Sequence, residues 1–344
     1  MSDLSSSERK LKNRRQFIQS NLGSGLLFAA HDAVQSATPA SGLYWRDTTF
    51  SGLGTTLSIR AAHADAQALA LALQRARQVV AHVEDEMSLF RPNSKLSQLN
   101  QTGVLHRPSP ELLHVLQLSQ RVAQQSRGAF DVTVQPLWQL YAQAQQVGRL
   151  PRPEEVAKAQ RFVGWQHLQV SATQVSLAKP GMGVSLNGVA QGYAADLVRA
   201  SLSRDGVAHA LINTGEWSSI GLADGQRPWI LSVSDPRAAD QWLARVAMNG
   251  LSIATSADDQ CTFSDDRKHH HIFNPHTGYS PLDIASVTVA APTCAMADAL
   301  TKVLFVGGYE RSLQIAKSWG VSALVVQKNG EWKASHSLPR VAGS

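Results

Sequence analysis

His271 is the strongest candidate for a catalytic group in this sequence. It ends a run of three histidines and lies just before the turn Pro275-His276-Thr277-Gly278. An imidazole can take a proton from an attacking hydroxyl near neutral pH, which fits a general base. Two other interpretations stay open: a polar histidine on an exposed strand, or a metal ion shared by His269 and His271, which would point to the same face of a strand.

The common sequence signatures of enzymes are absent. The chain has no P-loop, nucleophile elbow, dinucleotide glycine fingerprint or zinc-binding helix motif. It has instead a series of short motifs between Gly52 and about Gly308. In chain order they are Met87–Ser94 followed by Leu99-Asn100, Gly128–Leu137, Leu186–Asp196, Ala254–Ser256, His271–Gly278, and Ser286–Val289 running into Ala297–Leu300.

Together, these motifs resemble the ApbE family of FAD:protein FMN transferases over most of the chain. The resemblance implies an α+β fold, ApbE-like (T-fold-like), with mixed sheet layers flanked by helices. It implies FAD as substrate and Mg²⁺ at the diphosphate. FMN would be attached through a phosphoester to a Thr or Ser of an exported or membrane redox protein, with release of AMP. An FAD pyrophosphatase and a non-catalytic periplasmic flavin-binding protein stay open as alternatives.

The same resemblance assigns cofactor contacts to eight residues. They are Leu53, Phe90, Ala129, Phe130, Asp131, Ser185, Gln191 and Phe273. Phe90 would equally fit simple core packing, and Asp131 would equally fit a helix or turn cap. Ser185 and Gln191 stand where the family often has charged side chains, so their contacts with FAD would be hydrogen bonds between neutral groups, which are weaker.

The metal ligands implied by the resemblance are Asp298, Thr301 and the Gly188 carbonyl. A carboxylate such as Asp298 suits magnesium that bridges phosphate oxygens, and Asp298 joins His271 as a catalytic residue. Gly188 precedes a predicted helix, where a glycine lets the backbone approach a diphosphate. Lys302 departs from the family, because a charged lysine cannot ligate a metal. With Asp298 it would form an ordinary i,i+4 helix pair or, if buried, replace part of the metal's charge.

Two further departures bear on the site. Where the family usually has a Gly-Gly-Asp type turn, this chain has Asn213-Thr214-Gly215-Glu216-Trp217, and Ala257 replaces a usual glycine. Side chains at these points would narrow the site or alter the choice of partner.

The elements that must position these residues follow from the apolar pattern. Alternation around Gly52 and Gly54 predicts a hairpin within 44–61, and strands that group together without a regular strand-helix repeat favour an α+β fold. Helices are predicted at Ala66–Met87, from Ser109-Pro110 onward, and at 188–203, 293–305 and 309–319. Strands are predicted at 167–186 with a break at 178–181, and at 209–213, 229–233, 242–248, 270–273, 286–291 and 322–326.

The N-terminus resembles a twin-arginine export signal. Arg14-Arg15 precede a short apolar run, Leu22–Ala30, and Gln35-Ser36-Ala37 fits a cleavage site. Residues 1–37 are therefore predicted to be the signal peptide, and 38–344 the flavin transferase domain. An ordinary amphipathic helix with two arginines is the alternative. The signal implies a periplasmic protein with the twin-arginine (Tat) translocon as partner, associated with the inner membrane if the signal is retained.

Composition excludes other classes of protein. A chain of 344 residues with 43% hydrophobic content can bury a sizeable core. The formal net charge is +6 at pH 7, but no block of like charges or basic-aromatic interleaving accompanies it, so nucleic acid is not an expected partner. Cys261 and Cys294 have neither metal-binding nor redox spacing and are interpreted as structural, with a disulfide left open.

Overall fold

The computed structural model of the protein describes residues 42–341, so the predicted signal peptide lies outside the described residues. Thirteen strands are present within that range. They are β1 (Tyr44–Gly52), β2 (Thr55–His63), β3 (Val104–His106), β4 (Leu168–Val170), β5 (Gln174–Leu177), β6 (His209–Asn213), β7 (Trp217–Ile220), β8 (Ile230–Asp235), β9 (Ala238–Ala247), β10 (Ser252–Ala257), β11 (Ile284–Ala291), β12 (Ser322–Gln327) and β13 (Trp332–Ala334).

Eight α-helices accompany these strands within the described range. They are α1 (Ala66–Met87), α2 (Lys95–Thr102), α3 (Pro110–Gln125), α4 (Gln135–Gln146), α5 (Pro153–Gln160), α6 (Ala190–Arg204), α7 (Cys294–Gly307) and α8 (Ser312–Ser318). Short 3₁₀ turns lie at 132–134, inside the Gly128–Leu137 motif, and at 165–167.

An eight-stranded sheet is the framework of the fold, in the order β1-β2-β6-β7-β10-β11-β12-β13. Its neighbouring strands pair antiparallel throughout the described residues. A three-stranded sheet, β3-β5-β4, and the hairpin β8-β9 complete the strands. This arrangement confirms the predicted α+β class and differs from a doubly wound fold, whose sheet is mostly parallel.

Three helices join the sheet to the main hydrophobic cores. α1 packs against α6, α6 packs against α7, and α7 lies on β10 and β11. Leu300 and Leu304 of α7 share one core cluster with Val287 and Val289 of β11. Burying such aliphatic side chains contributes about 1.5–3 kcal/mol each, which holds α7 firmly against the centre of the sheet.

The start of α7 is held by residues of α6. The Asp196 carboxylate accepts hydrogen bonds from the backbone N–H groups of Cys294 and Ala295, at 2.8 and 2.9 Å. It thereby caps a helix whose own N-cap residue, Thr293, makes no side-chain capping bond. A Cβ at Gly192 would lie only 2.4 Å from the Cys294 carbonyl oxygen, so glycine is required where the two helices touch.

Many of the predicted elements are confirmed. The hairpin turns at Leu53-Gly54, α1 has the predicted bounds, and α3 begins after Ser109 with Pro110 in its first turn. β6, β11, β12, α6, α7 and α8 lie within a few residues of their predicted positions, and so do the strands of the hairpin β8-β9. In the 167–186 segment the strands end at Leu177, and the rest is irregular.

The predicted strand at 270–273 is wrong. Only one isolated bridge, between Thr262 and His270, occurs there. The reason is that its backbone donors have other partners: His270 N–H donates to Ser280 Oγ, His271 N–H to the Cys261 carbonyl, and Ile272 N–H to His270 Nδ1. The His270 and Ile272 N–H groups are thus bonded to side chains, and the backbone pairing at Cys261 does not extend into a regular ladder.

The structure also bears on the cysteines and on membrane-spanning helices. Cys261 and Cys294 are both free, so the disulfide that the sequence left open does not form. Among the described residues, no helix has both the length and the apolar character needed to cross a membrane.

Candidate active site

Asp298 is the carboxylate at the centre of the candidate site. It lies in the second turn of α7, and its side chain is only 1% exposed. Its Oδ2 accepts the backbone N–H of Gly192 at 3.2 Å, across the close α6–α7 contact. A buried carboxylate is costly unless it is paired, so its other oxygen needs a positive partner.

Lys302 supplies that partner from one turn further along α7. Its ammonium Nζ pairs with Asp298 Oδ1 and also donates to the Asp298 carbonyl oxygen at 3.2 Å. The alkyl chain of Lys302 lies over Gly188, where an added Cβ would be 3.1 Å from Lys302 Cε. Of the two interpretations of this pair, the structure therefore supports the partly buried one rather than an exposed helix pair.

Glu216 is a second buried carboxyl group beside this pair, and the sequence did not identify it as a site residue. It is 6% exposed, and its Oε2 accepts the backbone N–H of Thr255 at 2.9 Å. Burial raises the pKa of Glu216 well above its usual value, and the charge of Asp298 raises it further while Lys302 opposes the shift. In the sequence, Glu216 appeared only as a departure from a glycine-rich turn. Its role was missed because the residues that interact with it, Thr255 and Asp298, lie far along the chain.

The hydroxyl of Thr301 belongs to the same cluster. Thr301 Oγ1 donates to the Asp298 carbonyl oxygen and lies 2.7 Å from Ser256 Oγ of β10. Ser256 of the Ala254–Ser256 motif therefore hydrogen-bonds to Thr301. The sequence alone did not predict this contact.

The three residues predicted to bind magnesium do come together, but their arrangement does not fit the ion. The Asp298 oxygens are taken by Lys302 and by the Gly192 N–H, and the Thr301 hydroxyl is already hydrogen-bonded. A divalent ion about 4 Å from the ammonium would be repelled by about 8 kcal/mol at an effective dielectric constant of about 20. The described residues also contain no group of three or more His, Cys, Asp or Glu suited to a metal.

His271 is a neutral imidazole near this charged cluster. Its Nδ1 lies 3.3 Å from the Cys261 carbonyl oxygen, which can only accept, so Nδ1 carries the proton and Nε2 keeps a free lone pair. Burial lowers the pKa of His271 to about 4, the hydrogen bond to Cys261 opposes this shift, and the positive charge of Lys302 adds to it. The ring is thus deprotonated at neutral pH, as a general base must be.

The neighbouring histidines have structural roles. His270 is fully buried against Phe305, its Nε2 donates to the Pro281 carbonyl at 3.2 Å, and burial lowers its pKa to about 3. His269 packs at a tilt against Tyr141. Because this run is not a strand, the premise that put His269 and His271 on one face is wrong, and a metal shared between them has no support.

Leu53 and Phe90 are both predicted to contact flavin, and the Glu84 carboxylate joins Leu53 to Arg91, the residue after Phe90. Leu53, in the left-handed backbone region at φ 52°, donates its N–H to Glu84 Oε1 at 2.9 Å, and Arg91 pairs with the other oxygen of Glu84. Arg91 follows Phe90, whose ring is 60% exposed. The core-packing interpretation of Phe90 is therefore wrong, because its side chain is exposed to solvent.

Gln191 and Ser185 connect the remaining segments of the site. Gln191 Nε2 donates to the Leu53 carbonyl at 3.4 Å. The backbone carbonyl of Gln191 accepts a hydrogen bond from the Thr214 hydroxyl at 2.8 Å. Ser185 N–H donates to the Val132 carbonyl at 2.7 Å, which ties the segment before Gly188 to the Gly128–Leu137 motif. Gln191 thus contacts the hairpin turn at Leu53, and Ser185 is fixed three residues before Gly188.

The other predicted cofactor contacts lie deeper in the protein. Phe130 is buried with one ring edge near Gly188, and Ala129 packs partly against the same core. Asp131 accepts hydrogen bonds from Thr133 and from the Trp165 N–H, so it acts as the turn cap that the sequence left as an alternative.

Phe273 is buried against Tyr141, with their ring centroids 5.0 Å apart. Its side chain belongs to a core cluster with Tyr141 and Phe263. The nucleotide contacts of Asp131 and Phe273 stay predictions.

Comparison with known proteins shows which family and fold this chain is similar to. A family model described as the ApbE family matches residues 53–325. A FAD:protein FMN transferase of Klebsiella pneumoniae (strain 342) is 30% identical over 323 residues, which cover 89% of this chain and 90% of that protein. Another, from Vibrio cholerae serotype O1, is 29% identical over 292 residues, which cover 81% of this chain and 86% of that protein.

Solved structures have the same fold. The flavin transferase ApbE from Vibrio cholerae matches with a TM-score of 0.74 and 26% identity, over 86% of this chain and 98% of that one. The ApbE protein of Thermotoga maritima matches with a TM-score of 0.78 and 25% identity, over the same shares of the two chains. The ApbE-like fold predicted from the motifs is therefore confirmed.

The low pKa of His271 predicts an acid-sensitive stability. Between pH 6.5 and about 4 the unfolded chain binds a proton at this histidine and the folded chain does not. The stabilisation is therefore complete above the unfolded pKa and is lost as the pH falls. From about pH 7 to about pH 5 wild type should lose up to about 2 kcal/mol more than His271→Gln, measured by urea unfolding. His106→Gln, at an exposed histidine, is the matched control, and equal losses in wild type and His271→Gln would contradict this account.

Proposed function

The chain belongs to the ApbE family, and from this premise we propose that it is an FAD:protein FMN transferase. The observation that carries the proposal is the neutral His271, with a free Nε2 lone pair, close enough to Lys302 and its buried partner Asp298 for the lysine charge to lower its pKa. A base and a positive charge in one site are what transfer of a phosphoryl-type group to a hydroxyl requires.

The reaction can be written with its atoms balanced. A Thr or Ser hydroxyl of the acceptor attacks the FMN-side phosphorus of FAD, and its oxygen forms the new phosphoester bond. The bond from that phosphorus to the bridging oxygen breaks, and AMP leaves with the bridging oxygen. His271 Nε2 takes the hydroxyl proton as the new bond forms. No covalent intermediate on the protein is needed, because alignment and charge neutralisation supply most of the rate in such reactions.

The residues around Gly188 support binding of the two halves of FAD. Gly188 precedes α6, where a backbone without a side chain admits a diphosphate near a helix N-terminus. The exposed Phe90 side chain, and Leu53 at the hairpin turn, would each offer an apolar contact to the flavin ring. Magnesium is the metal that the family resemblance implies here, but no step of this mechanism is routed through it, because its candidate ligands are engaged by Lys302 and Gly192.

The acceptor and the compartment belong to the same proposal. The acceptor is an exported or membrane redox protein with a Thr- or Ser-containing flavinylation segment, and the transferase reaches the periplasm through the Tat translocon. Arg14-Arg15, the short apolar run that follows and the Gln35-Ser36-Ala37 segment support this route. Twin-arginine export carries folded proteins, which suits a protein with an extensive core.

Export is expected to depend on the paired guanidinium groups. Replacing both arginines in Arg14→Lys/Arg15→Lys keeps the charge but removes the recognised motif, so the periplasmic fraction should fall to background. The matched control is Lys10→Arg/Lys12→Arg, which changes neighbouring basic residues and should leave export unchanged. An unaltered periplasmic yield in the Arg14/Arg15 variant on fractionation would show that the twin-arginine assignment is wrong.

Transfer itself is expected to depend on His271. Purified protein with FAD and a genuine acceptor should release AMP and yield acceptor with covalent FMN, seen as in-gel flavin fluorescence after denaturation. His271→Ala should slow transfer by about 10²–10⁴-fold, because a general base contributes about that much, while FAD binding persists. His106→Ala is the control for loss of an exposed histidine and should leave the rate unchanged.

The outcomes separate the candidate functions. Replacing the acceptor threonine by alanine should abolish the fluorescent band, and AMP release that continues unchanged would identify an FAD pyrophosphatase. FAD binding with neither AMP nor labelled protein, across several exported flavoproteins, would identify a non-catalytic flavin-binding protein. A His271→Ala variant that transfers at the wild-type rate would remove His271 from the mechanism.

A further inference from the structure

The contacts of Lys302 describe a cation that the protein itself supplies to the site. Its ammonium uses two donors on Asp298, one on the carboxylate and one on the carbonyl oxygen. An ammonium has three N–H donors, so one is left for a further acceptor. The side chain is 18% exposed, and its methylene carbons lie over Gly188.

The groups around the Asp298–Lys302 pair are themselves fixed by hydrogen bonds to neighbouring elements. Asp298 is fixed by the Gly192 N–H on α6, and Thr301 is fixed by Ser256 on β10. Glu216, also buried, is held by the Thr255 N–H. Two buried carboxyl groups, Asp298 of α7 and Glu216 just before β7, thus lie within electrostatic reach of the Lys302 ammonium.

We propose that the Lys302 ammonium replaces the divalent metal as the charge that faces the FAD diphosphate, so that this chain binds FAD without Mg²⁺. In this arrangement Asp298 is a positioning residue, which holds the ammonium beside Gly188. A phosphate oxygen then accepts the third N–H as a charge-assisted hydrogen bond, which is shorter and stronger than a neutral one. The proposal rests on the proposed function for the identity of the ligand, but its test measures binding instead of transfer.

A single substitution should convert the site to metal dependence. Lys302→Thr removes the ammonium, frees Asp298 Oδ1 and adds a hydroxyl one turn after Asp298. Oxygen ligands of this kind suit magnesium. Lys302→Met, in contrast, removes the charge and keeps a similar side-chain volume without adding a metal ligand. Neither an ammonium nor Mg²⁺ would then neutralise the charge of the diphosphate.

The experiment compares FAD affinity with EDTA and with millimolar Mg²⁺, by quenching of flavin fluorescence. Wild type should bind FAD equally under both conditions. Lys302→Thr should bind about tenfold or more weakly in EDTA and recover with Mg²⁺, because the lost charge-assisted bond is worth about that factor. Lys302→Met should be weak in both. Lys317→Met, at an exposed lysine of α8, is the matched control and should behave as wild type.

Several results would overturn the proposal. Wild-type affinity that falls about tenfold in EDTA and recovers with Mg²⁺ would show that a metal is required beside Lys302. Full FAD affinity in Lys302→Met would show that the ammonium does not face the ligand. Because Lys302→Met leaves Asp298 buried without a counter-charge, the double variant Lys302→Met/Asp298→Asn is measured with it, and it should bind FAD weakly under both conditions.

The proposed function can fail separately. Metal-independent FAD binding in wild type, with loss in Lys302→Met but no FMN transfer to any acceptor, would support the role of Lys302 and overturn only the transferase. Absence of FAD binding under both conditions would overturn both.

Discussion

The burial of one carboxylate governs the arrangement of this site. Asp298 lies almost completely out of solvent at the junction of α6 and α7, where an unpaired charge would be strongly unfavourable. Its two oxygens are met by the Gly192 N–H and by the Lys302 ammonium, and both contacts require close packing. The glycine permits the helices to touch, and Asp196 fixes the first turn of α7 so that Asp298 and Lys302 face Gly188.

The electrostatics of the neighbouring groups follow from that pair. Burial lowers the pKa of His271 and the Lys302 charge adds a smaller lowering, while the same charge opposes the rise in the pKa of Glu216. His271 therefore stays neutral without a carboxylate partner. Its tautomer is set by a backbone carbonyl, a less polarising partner than the carboxylate of a catalytic triad, so the site suits a reaction in which the base only receives a proton as the bond forms.

Much of this site was predictable from the sequence, and the remainder has a physical reason. The hairpin at Leu53 and the bounds of α1 follow from local periodicity and turn chemistry. Glu216 escaped prediction because its burial depends on Thr255 and Asp298, which lie far along the chain. The histidine run was mistaken for a strand because an apolar and polar alternation does not reveal that the His270 and Ile272 N–H groups bind side chains instead of another strand.

In the proposed arrangement an ammonium, not a metal ion, occupies the charge-bearing position beside Asp298. A crystal structure of the full-length protein with FAD bound and Mn²⁺ present tests it most directly, because manganese gives an anomalous signal where magnesium would bind. The account predicts Lys302 Nζ on Asp298 and on a diphosphate oxygen, with no anomalous peak beside them. A peak coordinated by Asp298, Thr301 and the Gly188 carbonyl, with Lys302 displaced, would contradict it.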